Sequence, residues 1–213
     1  MQQYNVNQYP VSSLLGWVKD GEIAIPEIQR PFVWESSKVR DLMDSLYRGF
    51  PIGYIIAWKN PDVRLKDGSK AFGKKVLIDG QQRITAMRAA ILGEMIINQE
   101  YAQERIRIAF NPLTEEFATL TPVIQRDSKW ISDISEIMSK ETALFEEVET
   151  YCAKNPEVDR RSVEKVIAEL LDIKNKQLGY IELNADLDIE TVTEIFIRIN
   201  DLIFGVIYHE YYD

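Results

Sequence analysis

One stretch constrains this chain more than any other: Val76-Leu77-Ile78-Asp79-Gly80-Gln81-Gln82-Arg83-Ile84-Thr85-Ala86-Met87. It opens on an aliphatic run that reads as a buried strand and closes on residues that read as a helix. Between them, Asp79 to Arg83 include no apolar side chain, so the strand must stop and the helix must start inside those five positions. A strand that ends at Asp-Gly and turns at once into a helix points the helix's first backbone N–H groups outward. Together with the helix dipole they form an anion site. Arg83 adds a planar fork suited to phosphate or carboxylate. The plain alternative is a simple turn, with Asp79 as N-cap, Gly80 for an unusual φ and solvated polar residues after it. Two adjacent carboxamides and a guanidinium are more donors than a cap requires, which favours the phosphate reading.

The 213 residues are 46% hydrophobic and 28% charged, enough for a packed core and for one large domain or a domain with an appendage. A single cysteine, Cys152, rules out an internal disulfide and fits a reducing cytosol. No apolar run approaches the roughly 20 residues of a membrane span, and Met1-Gln2-Gln3-Tyr4 lacks a signal pattern. A cytoplasmic location is therefore expected. The net charge of −9 is uneven: residues 1–110 carry 15 Lys+Arg against 12 Asp+Glu (+3), and residues 111–213 carry 10 against 22 (−12). A uniformly acidic protein would repel nucleic acid. Here the half holding the Asp79–Arg83 turn is mildly basic, which keeps a phosphate ligand in play, and the acidic half reads as a solvated helical surface.

Ser12-Ser13 caps a short helix ended by Asp20-Gly21, and Ile23–Ile25 is a strand stopped by Pro26. Pro31 biases Arg30 toward extended geometry, so Gln29 and Arg30 sit on a shaped loop held by Phe32 and Trp34; the alternative for Arg30 is a surface salt bridge. Ser36 or Ser37 caps the clearest helix, with Val39, Leu42, Met43, Leu46 and Tyr47 on its apolar face and Gly49 and Pro51 at its end. Tyr54–Trp58 is a strand, and Asn60 to Lys74 a polar loop with Asp67-Gly68 as its turn signal. Ile106–Phe110 and Phe117–Leu120 form a strand pair. Ser132-Asp133 caps a short helix, and 141–176 is helical and acidic with a break near Asn155-Pro156. Gly179–Leu183 is a further strand. Ile189–Asn200 is a helix with Val192, Ile195, Phe196 and Ile199 on its buried face. Arg198 and Asn200 lie off that face, and the plain reading of both is an exposed terminus with a C-cap asparagine.

The loop Gln29-Arg30-Pro31-Phe32-Val33-Trp34, the turn Arg48-Gly49-Phe50-Pro51-Ile52-Gly53, the Asp79–Arg83 motif and Phe196-Ile197-Arg198-Ile199-Asn200 occur in that order. Over roughly residues 10–200 this resembles the N-terminal domain of GmrSD-type modification-dependent restriction proteins. The resemblance implies an α+β fold with a ParB/sulfiredoxin-like core, a small mixed sheet covered by helices and carrying an acidic helical subdomain. The expected organisation is a ParB-like α/β core over 1–131, a helical subdomain with a returning strand and helix over 132–200, and an atypical tail over 201–213. The resemblance also implies nucleoside triphosphate hydrolysis coupled to anti-phage DNA restriction, with an HNH-type nuclease domain or subunit as partner. In that setting Asp79, Gln81, Gln82 and Arg83 are the expected catalytic residues, and Asp79 is the expected Mg²⁺ ligand. Gln29, Arg30, Gly80, Arg83, Thr85, Arg198 and Asn200 are expected to bind the nucleotide and its phosphates. The chain departs from the family pattern after Asn200, where an apolar, aromatic tail reads as a truncated or frame-altered end able to promote self-association. The only histidine, His209, lies in that tail, so no histidine-based nuclease centre is expected in this chain. The P-loop pattern is absent. A DNA-binding or nicking module and a catalytically silent phosphate-binding module are the competing readings.

Overall fold

The computed structural model describes residues 2–25, 31–59, 74–140 and 143–199. The elements that position the candidate site are β1 (Tyr4–Pro10), α1 (Val11–Lys19), β2 (Ile23–Ala24), α2 (Ser36–Tyr47), β3 (Tyr54–Trp58), β4 (Lys75–Asp79) and α3 (Gln81–Leu92). There follow β5 (Ile96–Ile97), β6 (Gln103–Glu104), β7 (Ile108–Asn111), β8 (Glu116–Thr119), α4 (Pro122–Arg126), α5 (Ile134–Met138), α6 (Ala143–Lys154) and α7 (Arg160–Leu171). A 3₁₀ turn over Asp172–Asn175 leads into β9 (Gln177–Leu183), and a last helix, α8, covers 189–199. The fold is α+β, as the sequence implies.

Among the described residues the main sheet has five strands in the order β1-β9-β3-β4-β2. The pairings alternate: β1 with β9 antiparallel, β9 with β3 parallel, β3 with β4 antiparallel, β4 with β2 parallel. The strands expected at Ile23–Ile25, Tyr54–Trp58, Lys75–Ile78 and Gly179–Leu183 all lie in the sheet, the first as Ile23–Ala24. The fifth, β1, was not anticipated, because Tyr-Asn-Val-Asn-Gln-Tyr-Pro has few apolar residues and most of it is exposed. It is an edge strand, held by its register with β9 (Val6 opposite Ile181, Gln8 opposite Gly179) rather than by burial.

Side chains alternate across the sheet. One face carries Ile55, Ala57, Leu77, Leu178 and Tyr180 into the main core with Leu14, Met43, Leu46, Ile84 and Met87 from α1, α2 and α3. Helix α3 is buried nearly all round, with Ile84, Ala86, Met87, Ala89, Ala90 and Ile91 out of solvent. Full burial of each large aliphatic side chain stabilises the fold by about 1.5–3 kcal/mol, so the start of α3 is fixed by its own body. The other face carries Ile56, Trp58, Ile181 and Leu183 against Val192, Ile195 and Ile199 of α8. Phe196, expected on that buried face, is instead 37% exposed at its margin. The main core continues into Ile137, Tyr151, Val163, Ile167 and Leu170, so the acidic helices share it.

Two helix starts differ from the sequence reading. Pro10 occupies the N-cap of α1, so Ser12 and Ser13 lie inside the helix. Glu35 occupies the N-cap of α2 without a side-chain hydrogen bond, so Ser36 and Ser37 are its first helical residues. In both cases the residue at the N-cap has extended backbone, and no side chain caps the first turn. Asp133, by contrast, caps α5 as expected, its carboxylate accepting from Ser135 N–H at 3.0 Å.

Candidate functional site

Strand directions determine which parts of the chain meet. Asp79 is at the carboxyl end of β4. Antiparallel β3 begins at that same end, with Ile56 opposite Asp79, and β9 begins there too, with Gly179 opposite Tyr54. Parallel β2 runs toward it from Ala24, opposite Val76. The candidate motif, the turn before β3 and the exit from β2 therefore share one end of the sheet.

The turn itself is made by Gly80, at φ 93°, in the left-handed region. A Cβ there would stand 2.4 Å from Ile55 Cδ1 and 3.4 Å from Ile55 Cα. Gly80, not Asp79, is the N-cap residue of α3, which corrects the plain capping alternative for Asp79. No side chain caps this helix, and its first hydrogen bond runs from Ile84 N–H to the Gly80 carbonyl. The N–H groups of Gln81, Gln82 and Arg83 thus lie ahead of the helical ladder, at the positive end of a 12-residue dipole.

With the cap excluded, the carboxylate of Asp79 has a different partner. Arg83 donates from Nη2 to Asp79 Oδ2 at 2.8 Å and from Nη1 to the Ile52 carbonyl at 2.8 Å. The pair is partly sheltered, with side-chain exposures of 17% for Arg83 and 30% for Asp79. The guanidinium lies against Gly53, at φ 85°, where a Cβ would stand 2.3 Å from Nη1. Arg83 therefore ties the turn before β3 to the end of β4, and among the described residues three of its five N–H groups are left for other acceptors.

Gln82 ties down the other loop. Its Oε1 accepts from Val33 N–H at 3.0 Å and its Nε2 donates to the Pro31 carbonyl at 3.3 Å. Phe32 between them donates its N–H to the Ile97 carbonyl at 2.9 Å, so 31–33 is stitched to α3 on one side and to β5 on the other. Gln29 and Arg30 lie outside the described residues, as does Asn200. The flanks of 26–30, namely the end of β2 and the Gln82-held loop, both belong to the Asp79 end of the sheet.

Gln81 is half-buried and makes no side-chain hydrogen bond among the described residues. Thr85 is half-buried one turn into α3. Arg198 is exposed on α8 and pairs locally with Glu194, with no contact to Asp79–Arg83 among the described residues. Ile52, Gly53, Pro31 and Val33 were not singled out as site residues. The available signal was Gly49-Phe50-Pro51-Ile52-Gly53, two glycines bracketing a proline before a strand, which reads locally as nothing more than a helix end.

Two clefts flank the motif. One of about 610 Å³ is bounded by Phe32, Trp34, Glu35, Glu104 and Thr119, on the outer side of the loop that Gln82 holds. The other, of about 460 Å³, is walled by Gly49–Tyr54 and the start of β9, beside the carbonyl that Arg83 holds. None of Asp79–Arg83 lines either cleft.

Among the described residues no cluster of three or more His, Cys, Asp or Glu side chains forms a metal cage. No helix of the described residues is long and apolar enough to cross a membrane. Comparison with curated proteins finds no match. The profile of the family described as GmrSD restriction endonuclease, N-terminal domain, matches residues 11–202, and the strand–Asp-Gly–helix junction with its two tethered loops falls inside that match. The chain belongs to the GmrSD restriction endonuclease N-terminal domain family, and so to the proteins of a DNA restriction system.

Proposed function

We propose that this chain hydrolyses nucleoside triphosphates, with the triphosphate bound at the Asp79 end of the sheet, and that hydrolysis serves DNA restriction carried out with an HNH-type nuclease partner. The observation that carries the reading is the uncapped start of α3 beside the Asp79–Arg83 pair, in a member of this family. Phosphoryl transfer to water is mainly a matter of positioning and electrostatics. Backbone N–H groups of Gln81, Gln82 and Arg83 receive the phosphate oxygens, and the remaining Arg83 donors face the charge that spreads over them as the P–O bond to the leaving nucleotide breaks. Gln81, whose carboxamide makes no hydrogen bond among the described residues, orients the attacking water. Gln82 acts as a positioning residue through the 31–33 loop, which Gln29 and Arg30 directly precede in sequence; Gln29, Arg30, Thr85 and Asn200 are proposed as further phosphate contacts, and Arg198, engaged by Glu194 on α8, is left out of them.

The donor set suits a Mg²⁺ ion carried in by the triphosphate better than one held by protein alone. Mg²⁺ keeps several waters and takes one or two carboxylates plus substrate phosphates, and Asp79 offers Oδ1 while Oδ2 holds Arg83. When bound, the ion would neutralise phosphate charge. A second reading, a phosphate-binding module without turnover, is favoured by one observation: the side chains of both Gln82 and Arg83 already hold backbone carbonyls of neighbouring loops. A phosphate-release assay on the purified chain with ATP and GTP, with and without Mg²⁺ and DNA, decides between them. Mg²⁺-dependent release supports hydrolysis, and tight binding with no release under any condition supports the silent module.

A further inference from the structure

The cleft of about 460 Å³ beside Arg83 falls within the usual size of small-molecule sites. Its walls are apolar (Leu46, Phe50, Tyr54, Leu178), and two carboxamides, Gln8 and Gln177, stand at its edge. Phe50 and Tyr54 are 58% and 51% exposed, although each belongs to a tightly constrained segment. Phe50 follows Gly49 and donates its N–H to the Ser45 carbonyl at 2.8 Å. The Tyr54 ring lies over Gly179, where a Cβ would stand 2.6 Å from Tyr54 Cδ1, so the ring has a fixed bed. Solvent-facing aromatic rings in a concave wall are surfaces on which a planar ligand stacks. Gln177 donates Nε2 to the Asn175 carbonyl at 3.1 Å, which leaves its amide oxygen to accept. Lys176 at the rim is already paired with Asp172 at 3.3 Å, so the cleft has little free positive charge and is a poor phosphate site.

The cleft is also connected to the motif. Its wall includes Ile52 and Gly53, and Arg83 holds the Ile52 carbonyl and packs on Gly53. We propose that this cleft receives the base of the nucleotide whose phosphates bind at α3, with Phe50 and Tyr54 as the stacking surface and Gln8 and Gln177 reading the ring edge. This rests on the nucleotide reading above. Arg83 then stands between the two halves of the ligand. A base in the cleft presses on the 49–53 turn and so on the guanidinium that faces the phosphates, which makes Arg83 the link by which base occupancy is felt at Asp79.

Calorimetric titration separates the two halves. ATP, GTP and inorganic tripolyphosphate are titrated, each with Mg²⁺, into the parent chain, Phe50→Ala, Tyr54→Ala and Phe50→Trp. The affected side chains are exposed, so the variants are expected to fold, and thermal melts check it. Each alanine variant is expected to weaken ATP and GTP about tenfold or more, the scale of one lost stacking partner, and to leave tripolyphosphate unchanged. Phe50→Trp should retain nucleotide affinity and show fluorescence quenched by nucleotide but not by tripolyphosphate. If the alanine variants bind nucleotide like the parent, or lose tripolyphosphate equally, the base site is wrong while the nucleotide reading stands. If the parent binds neither nucleotide nor tripolyphosphate, both fail together.

Discussion

Arg83 reaches back four residues across the Gly80 turn to Asp79 at 2.8 Å while the same guanidinium holds the Ile52 carbonyl at 2.8 Å, so one side chain joins the end of β4 to the turn before β3. Arg83→Ala is expected to lower turnover about 30- to 1000-fold, the effect of losing roughly 2–4 kcal/mol of preorganised donor stabilisation. It should also lower the thermal midpoint, because a partly buried carbonyl loses its donor at a cost of about 1–3 kcal/mol. Asp79→Asn keeps an acceptor for Arg83 and should reduce turnover with a much smaller loss of stability. Steady-state phosphate release and thermal denaturation measured on both variants check this. Loss of stability with unchanged turnover would make the pair purely structural.

Gln82 is expected to act on a loop rather than on substrate. In Gln82→Ala the Val33 amide loses its acceptor, so its hydrogen exchange should accelerate about fivefold or more, for the roughly 1 kcal/mol of a net hydrogen bond. Amides in the body of α3 should be unaffected. Equal acceleration across α3 would mean that the residue supports the helix, not the 31–33 loop.

Gly80→Ala should be among the most destabilising single-methyl additions in the chain. It forces a residue with a side chain to φ 93° and drives a Cβ to 2.4 Å from Ile55 Cδ1. A backbone outlier alone costs about 1–3 kcal/mol, so denaturant unfolding should show at least that loss. A change below about 0.5 kcal/mol, the usual size of an inconsequential surface substitution, would refute the required turn geometry.

Asp133 shows what an interior ion pair does away from the site. It is 4% exposed, accepts from Ser135 N–H and pairs with Arg105 Nη2 at 2.9 Å, while Arg105 Nη1 also holds the Ala89 carbonyl of α3 at 3.0 Å. Asp133→Ala leaves Arg105 without its counter-charge and is expected to cost about 3 kcal/mol or more, read as a shifted denaturant midpoint. Asp133→Asn, which retains the cap, should cost less.

Acid should act in opposite directions on different helices. Hydrogen bonds from the Ser162 hydroxyl and N–H hold the Asp159 carboxyl below its ordinary value, and the Thr191 N–H does the same for Asp188. A depressed folded-state pKa gives stability that is present above the ordinary carboxylate range and is lost as pH falls through the depressed value. Burial raises Glu147, so its contribution is present below its ordinary value and is lost as pH rises through the raised one. Amide exchange between neutral pH and about pH 3, a span that crosses the carboxylate range, should therefore show the starts of α7 and α8 loosening before α6 does. Simultaneous loosening of all three would contradict the assignment.

The sequence made the strand–turn–helix at Val76–Met87 legible because it combines two periodicities with a glycine that only one backbone conformation explains. It also showed the Asp133 cap and the Val39–Tyr47 helix, since local spacing carries both. What it hid was tertiary. β1 has no apolar alternation to reveal it, because an edge strand exposed on most of its length has no face to bury. Pro10 and Glu35, not the nearby serines, are the N-cap residues of α1 and α2, because the extended backbone runs one or more residues less far than the serine pattern suggests and the serines fall inside the helices. Besides the Asp79 carboxylate four residues from Arg83, the side chains of Gln82 and Arg83 hold backbone carbonyls 51 and 31 residues away, and no local pattern encodes an acceptor that every residue possesses.

The strand order also has a consequence for how the chain is made. β9, from Gln177 to Leu183, lies between β1 and β3, yet it is synthesised long after both. Until it emerges, β1 has no neighbour, and the place filled by the fully buried Tyr180 stands open beside Ile55, its partner across the strands. Pairing so distant in sequence is slow, because loop closure must precede any gain from contact. A nascent chain that has released α3 thus carries the Asp-Gly-Gln-Gln-Arg turn on an unfinished sheet. Its rigid geometry, and any chemistry that needs it, is expected only once the last strand has slotted into the gap.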